Sequence, residues 1–409
     1  MRRLVLYEDP HWRSLRPLTD LLPVPALSFG ASDLARRWIA HAALPLLSVE
    51  ARAEVAAAWR SAPARETGSA AGADEVVVVN AAALPGPWFA AALAARAPAL
   101  WLGDRRIAGA RLPLAQLESA IGRGADFETS LLGLGLPAVA TDAELLLHPW
   151  DLIARNADAI AADLAGAPSV IAGDVHRLAC LEAPERIAIE RGASVGPFAV
   201  LDAREGPIRV AAGARVAAHT VVTGPCVVGA GTQLLGGAVS ASTFGPECRI
   251  AGEVEASLWQ GYANKRHHGF VGHSLVGEWV NLGALTTTSD LKNNYGSVRV
   301  WVDGRELDSG SPKLGAIVGG HVKTGIGTLL PTGASVGVGA NLFGGGRFAP
   351  RHLPAFAWWD GASLGEHELE RFLGTARIAF GRRARTFSPA DEALARRLFA
   401  ATAGERRAP

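Results

Sequence analysis

Lysine is almost missing from this 409-residue chain: only Lys265, Lys292, Lys313 and Lys323 carry it, against 36 arginines. Arginine has replaced it wherever any cation serves, so four survivors gathered in one stretch mark a place where a compact ammonium matters. Two of the three tyrosines, Tyr262 and Tyr295, and four of the seven asparagines, Asn264, Asn281, Asn293 and Asn294, fall in or beside that stretch. Cysteine is scarce as well. Cys180, Cys226 and Cys248 are an odd number in a long chain, which implies no disulfide framework and fits a reducing, cytoplasmic setting. Net charge is lacking too: 40 basic and 39 acidic residues leave +1, which gives no electrostatic reason for a nucleic-acid or membrane partner. No unbroken apolar run is long enough to span a bilayer. The longest charge-free stretch, 76–95, contains Asn80, Pro85, Gly86 and Pro87, and the apolar residues before Glu8 and Asp9 are too few for a signal sequence.

What is present is apolar material, 49% of residues, enough for sizeable cores in two or three domains. Residues 1–165 alternate apolar runs with helical patterns. Strands are expected at 4–7 and 76–79 and helices at 33–41, 49–60 and 88–96. A last helix begins near Pro149, with Ile153, Ala157, Ile160 and Leu164 on one face. This reads as an α/β domain followed by a linker over 166–186.

From residue 187 the pattern changes to a period of six. Aliphatic residues recur at Val210, Val216, Val222, Val228 and Leu234, many followed by Gly or Ala, with a small or β-branched residue four positions on. Such hexads fit a left-handed parallel β-helix of triangular section: each face spends one inward aliphatic, and glycine serves where a Cβ would clash at a corner. Stacked coils bury one another, and residues 187–346 hold seven or eight of them. Cys226 and Cys248 are then small inward residues. The register slips at SLWQGYANKRHHG (257–269) and again over an insertion at 288–313, where Asp303-Gly304 between VRVWV and RELD signals a hairpin. Interrupted segments are where a solenoid places function. Residues 347–409 form a helical tail, in which Ser388, Pro389 and Asp391 specify one helix start.

The stretches NKRHHGFVGHSLVGEWVNLGALTTTSDLKNNYG (264–296) and KTGIGTLLPTGASVGVGANLFGG (323–345) resemble the acetyltransferase half of the bifunctional bacterial uridyltransferase and glucosamine-1-phosphate acetyltransferase. Nearly the whole chain is similar to the GlmU-like sugar nucleotidyltransferase family. That resemblance implies acyl transfer from acetyl-CoA, as co-substrate, to the amine of an amino-sugar phosphate or nucleotide sugar, in a homotrimer. It places the catalytic base at His267, with neighbouring His268 left as the alternative, and a sugar-orienting residue at Asn281. An Asn-Tyr pair falls at Asn294 and Tyr295, and a backbone amide on the acyl group at Ala284. Imidazole suits the task because it titrates near neutral pH. From charge and clustering alone, Lys265 and Lys292 are candidate substrate contacts and Lys323 a candidate CoA contact.

Two departures bear on function. The family's sugar-phosphate lysine aligns near Ser257. The opening segment has PLTDLLPVPALSFG where the family shows PLTxxRPxxxLRxG, so Leu22 and Ser28 replace two arginines, and the first glycine is Gly30. A phosphate-cradling glycine loop is therefore missing. Mg²⁺ is expected only if this domain still transfers nucleotides, in a pocket that Asp9, Arg16 and Asp20 would line. The alternatives are a bifunctional enzyme with both sites active, a silent trimeric scaffold, or a metal protein like the γ-class carbonic anhydrases, whose ligand spacing His268 and His273 share. No third histidine stands at a matching distance, so no metal site is expected.

Overall fold

The valine run at 76–79 lies in the strand Glu75–Asn80 and is apolar at every position because both faces of its sheet are covered. Val77 and Val79 pack with Trp38, Trp88 and Phe89, while Val76 and Val78 pack with Tyr7, Phe127 and Leu131. The structure, a computed structural model, describes residues 2–60, 74–166 and 169–407. The chain divides into two units: Met1–Leu15, Leu21–Leu27 and Ser32–His148 in one, Arg16–Asp20, Ser28–Ala31 and Pro149–Pro409 in the other.

The first unit is built on a six-stranded mixed sheet in the order Leu46–Glu50, Arg2–Tyr7, Glu75–Asn80, Arg106–Pro113, Ala99–Gly103, Ala138–Ala140. Its first three strands are parallel. Helices Leu34–Ala42 and Pro87–Ala94 match the expected positions. The helix expected over 49–60 begins only at Ala53, because Val49 and Glu50 pair with Leu6 and Tyr7 as the edge strand.

The second unit contains the expected parallel β-helix. Three ladders of short parallel strands form its faces. The first face is nine strands deep, from Ile187–Ile189 to His352–Leu353. The second includes Ser194–Val195, Asn264–Lys265, Lys323–Thr324 and Asn341–Leu342; the third includes Val200–Asp202, Phe270–Gly272 and Thr287–Thr288. Inward residues of all three make one core, Ile189, Val210, Val228, Phe244, Trp259, Val276, Val318 and Val336 among them. Cys226 and Cys248 are buried in it, and burial pushes both thiols up to about 12.

The solenoid is longer than the hexads indicate. Asp174–Val175 pairs with Ser194–Val195, and Cys180–Glu182 with Val200–Asp202, so the segment expected as a linker over 166–186 joins the ladder, residues 167 and 168 lying outside the described ones. Only half-buried Val175, Ala179, Leu181 and Ala183 pack on the core there, two of them alanines, which left the period too faint to read. At the other end, His352–Leu353 and Ala357–Trp359 extend the coils beyond 346.

One corner shows how the backbone turns. Three residues after each strand of the first face stands a residue in the left-handed region, φ between 53 and 81: Gly192, Gly213, Gly231, Glu247, Tyr262, Trp279, His321, Gly339 and Phe356. The glycine directly after the strand does a different job. A Cβ on Gly229 would lie 2.5 Å from the Phe244 carbonyl oxygen of the next coil.

Across this corner lie the C-terminal helices Leu369–Gly381 and Pro389–Ala401. Phe380 stacks on Trp279 at 3.9 Å, and Phe372 meets His321 and Phe356 edge-on. The Ser388–Asp391 capping box forms as expected. Helix Pro149–Leu164 contacts the first face, where Asn156 Oδ1 accepts from Gly30 N and Thr243 Oγ1. Among the described residues no helix is long and apolar enough to cross a membrane.

Candidate active site

The stretch 257–269 carries the expected slip: Lys265 lies opposite Ile250, 15 residues back, but Phe270 lies opposite Glu253, 17 back, so two extra residues sit at the corner 266–269. Leu258–Trp259 pairs with strands on both sides, and Lys265 sits on the second face, in the slot where a hexad has its inward aliphatic. Lys265 is 1% exposed. Its stem fills the slot, while Nζ donates to the carbonyls of Ala251 (2.7 Å) and His267 (3.1 Å). Burial pushes this ammonium down to about 8. Lys265 is therefore an interior post rather than a surface phosphate contact, and it holds the corner 266–269 from beneath.

On that corner His267 and His268 are exposed, and the His268 carbonyl accepts from Leu285 N at 2.9 Å. Ala284 stands one coil on, its carbonyl accepting from Gly327 N at 2.8 Å. Along the second face runs a polar ladder in register, Asn264, Asn281, Lys323, Asn341. Asn264 Nδ2 donates to Asn281 Oδ1 at 2.7 Å, which restrains the Asn281 amide. Lys323 Nζ donates to the Trp279 carbonyl at 2.6 Å, and burial pushes it too down to about 8. Its charge is thus tied to the coil as drawn, not turned out toward a diphosphate.

Lys292, Asn294 and Tyr295 belong to a different place. They lie in the insertion, which leaves the solenoid at Asp290 on the corner after the third face and returns at Lys313. The insertion's strands Arg299–Val302 and Arg305–Asp308 form the expected hairpin around Asp303-Gly304. Lys292 Nζ bonds the Ser297 carbonyl, Asn294 Oδ1 caps Gly296 N, and Tyr295 is exposed. Within one chain the expected site residues thus form two groups, separated by the strand Phe270–Gly272.

The same strand separates His268 from His273, so these two are not joint ligands of one ion. Serine 257 is fully buried: Ser242, Ser257 and Ser274 each donate to the carbonyl two residues back and accept the N–H of a residue in the next coil. A lysine at Ser257 would have to enter the interior.

In the first unit the ends of the parallel strands are closed by internal pairs. Asp9 accepts from Arg106, Asn80 Nδ2 (2.8 Å) and His11 N (3.0 Å); Glu8 accepts from Arg52 Nε (2.7 Å) and Val24 N (2.8 Å). Arg16 and Asp20 pair at 2.7 Å in the other unit, where Arg16 also meets Asp303 and Glu405. Asp9 thus belongs to the first unit and Arg16 and Asp20 to the second, each paired within its own unit. Asp9 and Glu8, already saturated with donors, do not fit as Mg²⁺ ligands.

What the sequence did not reveal is the grouping of Tyr262 with Trp279 and His321 as stacked corner side chains, and of His273 with Glu255 and Asp290. The ligand atoms of this last group lie within 4.8 Å of one another. Its signal is a spacing of one coil, 18 and 17 residues.

Residues 4–168 match the family described as sugar nucleotidyl transferase. Over 93 residues the chain is 38% identical to a bifunctional sugar-1-phosphate nucleotidylyltransferase/acetyltransferase of Sulfurisphaera tokodaii, covering 23% of either chain. It is 36% identical over 85 residues to the bifunctional protein GlmU of Methanocaldococcus jannaschii, 21% of either chain, and 34% identical over 93 residues to that of Methanococcus maripaludis, 22% of either. The chain thus spans under a quarter of the length of these relatives. A solved structure from Bacillus cereus covers 56% of this chain and 99% of its own at 12% identity, with a TM-score of 0.24 at which no argument rests on it.

Proposed function

We propose that the chain is GlmU-like and that its second unit is an acyltransferase moving an acetyl group from acetyl-CoA to the amine of an amino-sugar phosphate or nucleotide sugar. His267 takes the proton as the amine nitrogen attacks the thioester carbonyl; the C–S bond breaks and the CoA thiolate leaves. Asn281, held by Asn264, orients the acceptor. Ala284, on the adjoining corner, offers its backbone N–H to the developing oxyanion. The observation that carries the reading is an exposed imidazole on a corner pinned by a buried lysine, beside a face of fixed amides.

The two groups of expected site residues meet only if the corner carrying His267 faces the insertion of another copy. Leu285, Ile326 and Phe343, exposed on consecutive coils of that corner, give it an apolar ridge suited to association by threefold symmetry. A homotrimer is therefore part of the proposal, with Lys292, Asn294 and Tyr295 contributed across the interface. Nucleotide transfer by the first unit is not proposed, given the closed strand ends.

The test is thiol release from acetyl-CoA with a panel of amino-sugar phosphates. Turnover with one member, lost in His267→Ala, supports the reading; equal turnover in that variant overturns the base assignment. A monomer in sedimentation, unchanged by Ile326→Glu, overturns the trimer.

A further inference from the structure

We propose that Glu255, His273 and Asp290 form a divalent-cation site of zinc-like preference at the root of the insertion. The three come from three consecutive coils at one corner, with ligand atoms all within 4.8 Å of one another. Each is half-buried. Backbone bonds set their register: His273 N donates to the Glu255 carbonyl and Gly315 N to the His273 carbonyl, both at 2.9 Å. The imidazole is already oriented, Nδ1 standing 2.7 Å from Asp290 Oδ2.

Charge gives the reason for an ion. Two carboxylates converge on one imidazole, His273 Nδ1 standing 2.7 Å from Asp290 Oδ2 and Glu255 within the same 4.8 Å cluster. The countercharge at hand is weakly placed: Lys313 Nζ is 3.7 Å from Glu255, on a side chain 46% exposed. A divalent ion would satisfy both carboxylates at closer range and release this lysine. One nitrogen and two oxygen donors suit zinc or a neighbouring transition ion better than magnesium, and three protein ligands leave a position open for water.

Asp290 starts the insertion, so the ion would anchor its first limb to the solenoid. Lys292, Asn294 and Tyr295 follow within five residues. The site stands on its own geometry, whether or not the chain transfers acyl groups.

Tag-free protein is stripped with EDTA, dialysed against Zn²⁺ and counted by mass spectrometry; Co²⁺ in its place is read by visible absorption. We expect about one zinc per chain with a Co²⁺ band typical of low coordination number, both lost in His273→Asn and retained in His268→Asn. Lys313→Gln, a surface change, should tighten Zn²⁺ several-fold by removing the competing cation. No retained zinc in the parent chain, equal zinc in His273→Asn, or unaltered affinity in Lys313→Gln overturns the assignment.

Discussion

The strand ends of the first unit and the corners of the second handle charge in opposite ways. At the strand ends two buried acids each have an internal arginine, Glu8 with Arg52 and Asp9 with Arg106, and Glu50 accepts from two backbone N–H groups. On the solenoid corners, ionisable side chains such as His267 and Glu255 stand in reach of solvent, while the cations beneath them bind backbone carbonyls. A place where ion pairs saturate one another is built for cohesion. A place where the scaffold holds the main chain and leaves side chains free is built for encounter.

That contrast can be broken by experiment. The largest effect should come from His267→Ala, with turnover falling roughly 10²- to 10⁴-fold and the melting temperature unchanged; a large stability loss would make His267 structural. Next is Arg106→Leu, which strands buried Asp9 and should cost about 3–5 kcal/mol in the denaturation of the first unit without altering thiol release. Loss of acyl transfer in that variant would erase the division of labour.

A smaller effect is expected from pH. Lys265 and Lys323 bind a proton in the unfolded chain up to about pH 10.4 but lose it near 8 when folded, so the unfolded state holds more protons in between and stability rises with pH above 8. Near pH 9 the buried thiols begin to oppose this, because their folded pKa values lie above their unfolded ones. Chemical denaturation at pH 8 and 9 should show a gain, smaller in Lys265→Met and absent when Lys323→Met is added. The smallest change is Ser388→Ala, about 1 kcal/mol from loss of the capping box, read as a lower melting temperature.

Much of this was legible in the sequence. Hexads of Val and Leu reveal a coiled wall because the inward slot is chemically uniform. The reading failed where that slot holds something else: Lys265, expected as a substrate contact, is a core residue with a satisfied charge. It failed again at Asp174 and Cys180, where the first coil is covered on one side only and needs few aliphatics. Proximity in sequence also misleads on a solenoid. His268 and His273 are five residues apart and on different corners, whereas His273 and Asp290, 17 apart, touch.

The left-handed corner has a consequence for any attempt to shorten or graft this fold. At Tyr262, Trp279, His321 and Phe356 the chain accepts a torsion that glycine would adopt without strain, and each of those rings rests against the terminal helices or their connecting loop. Ending the chain before Leu369 would strip cover from four side chains whose backbone is already under tension. Replacing them with glycine would relax the wall and set the terminal segment adrift. Wall and segment are a matched pair, and a transplant has to carry both.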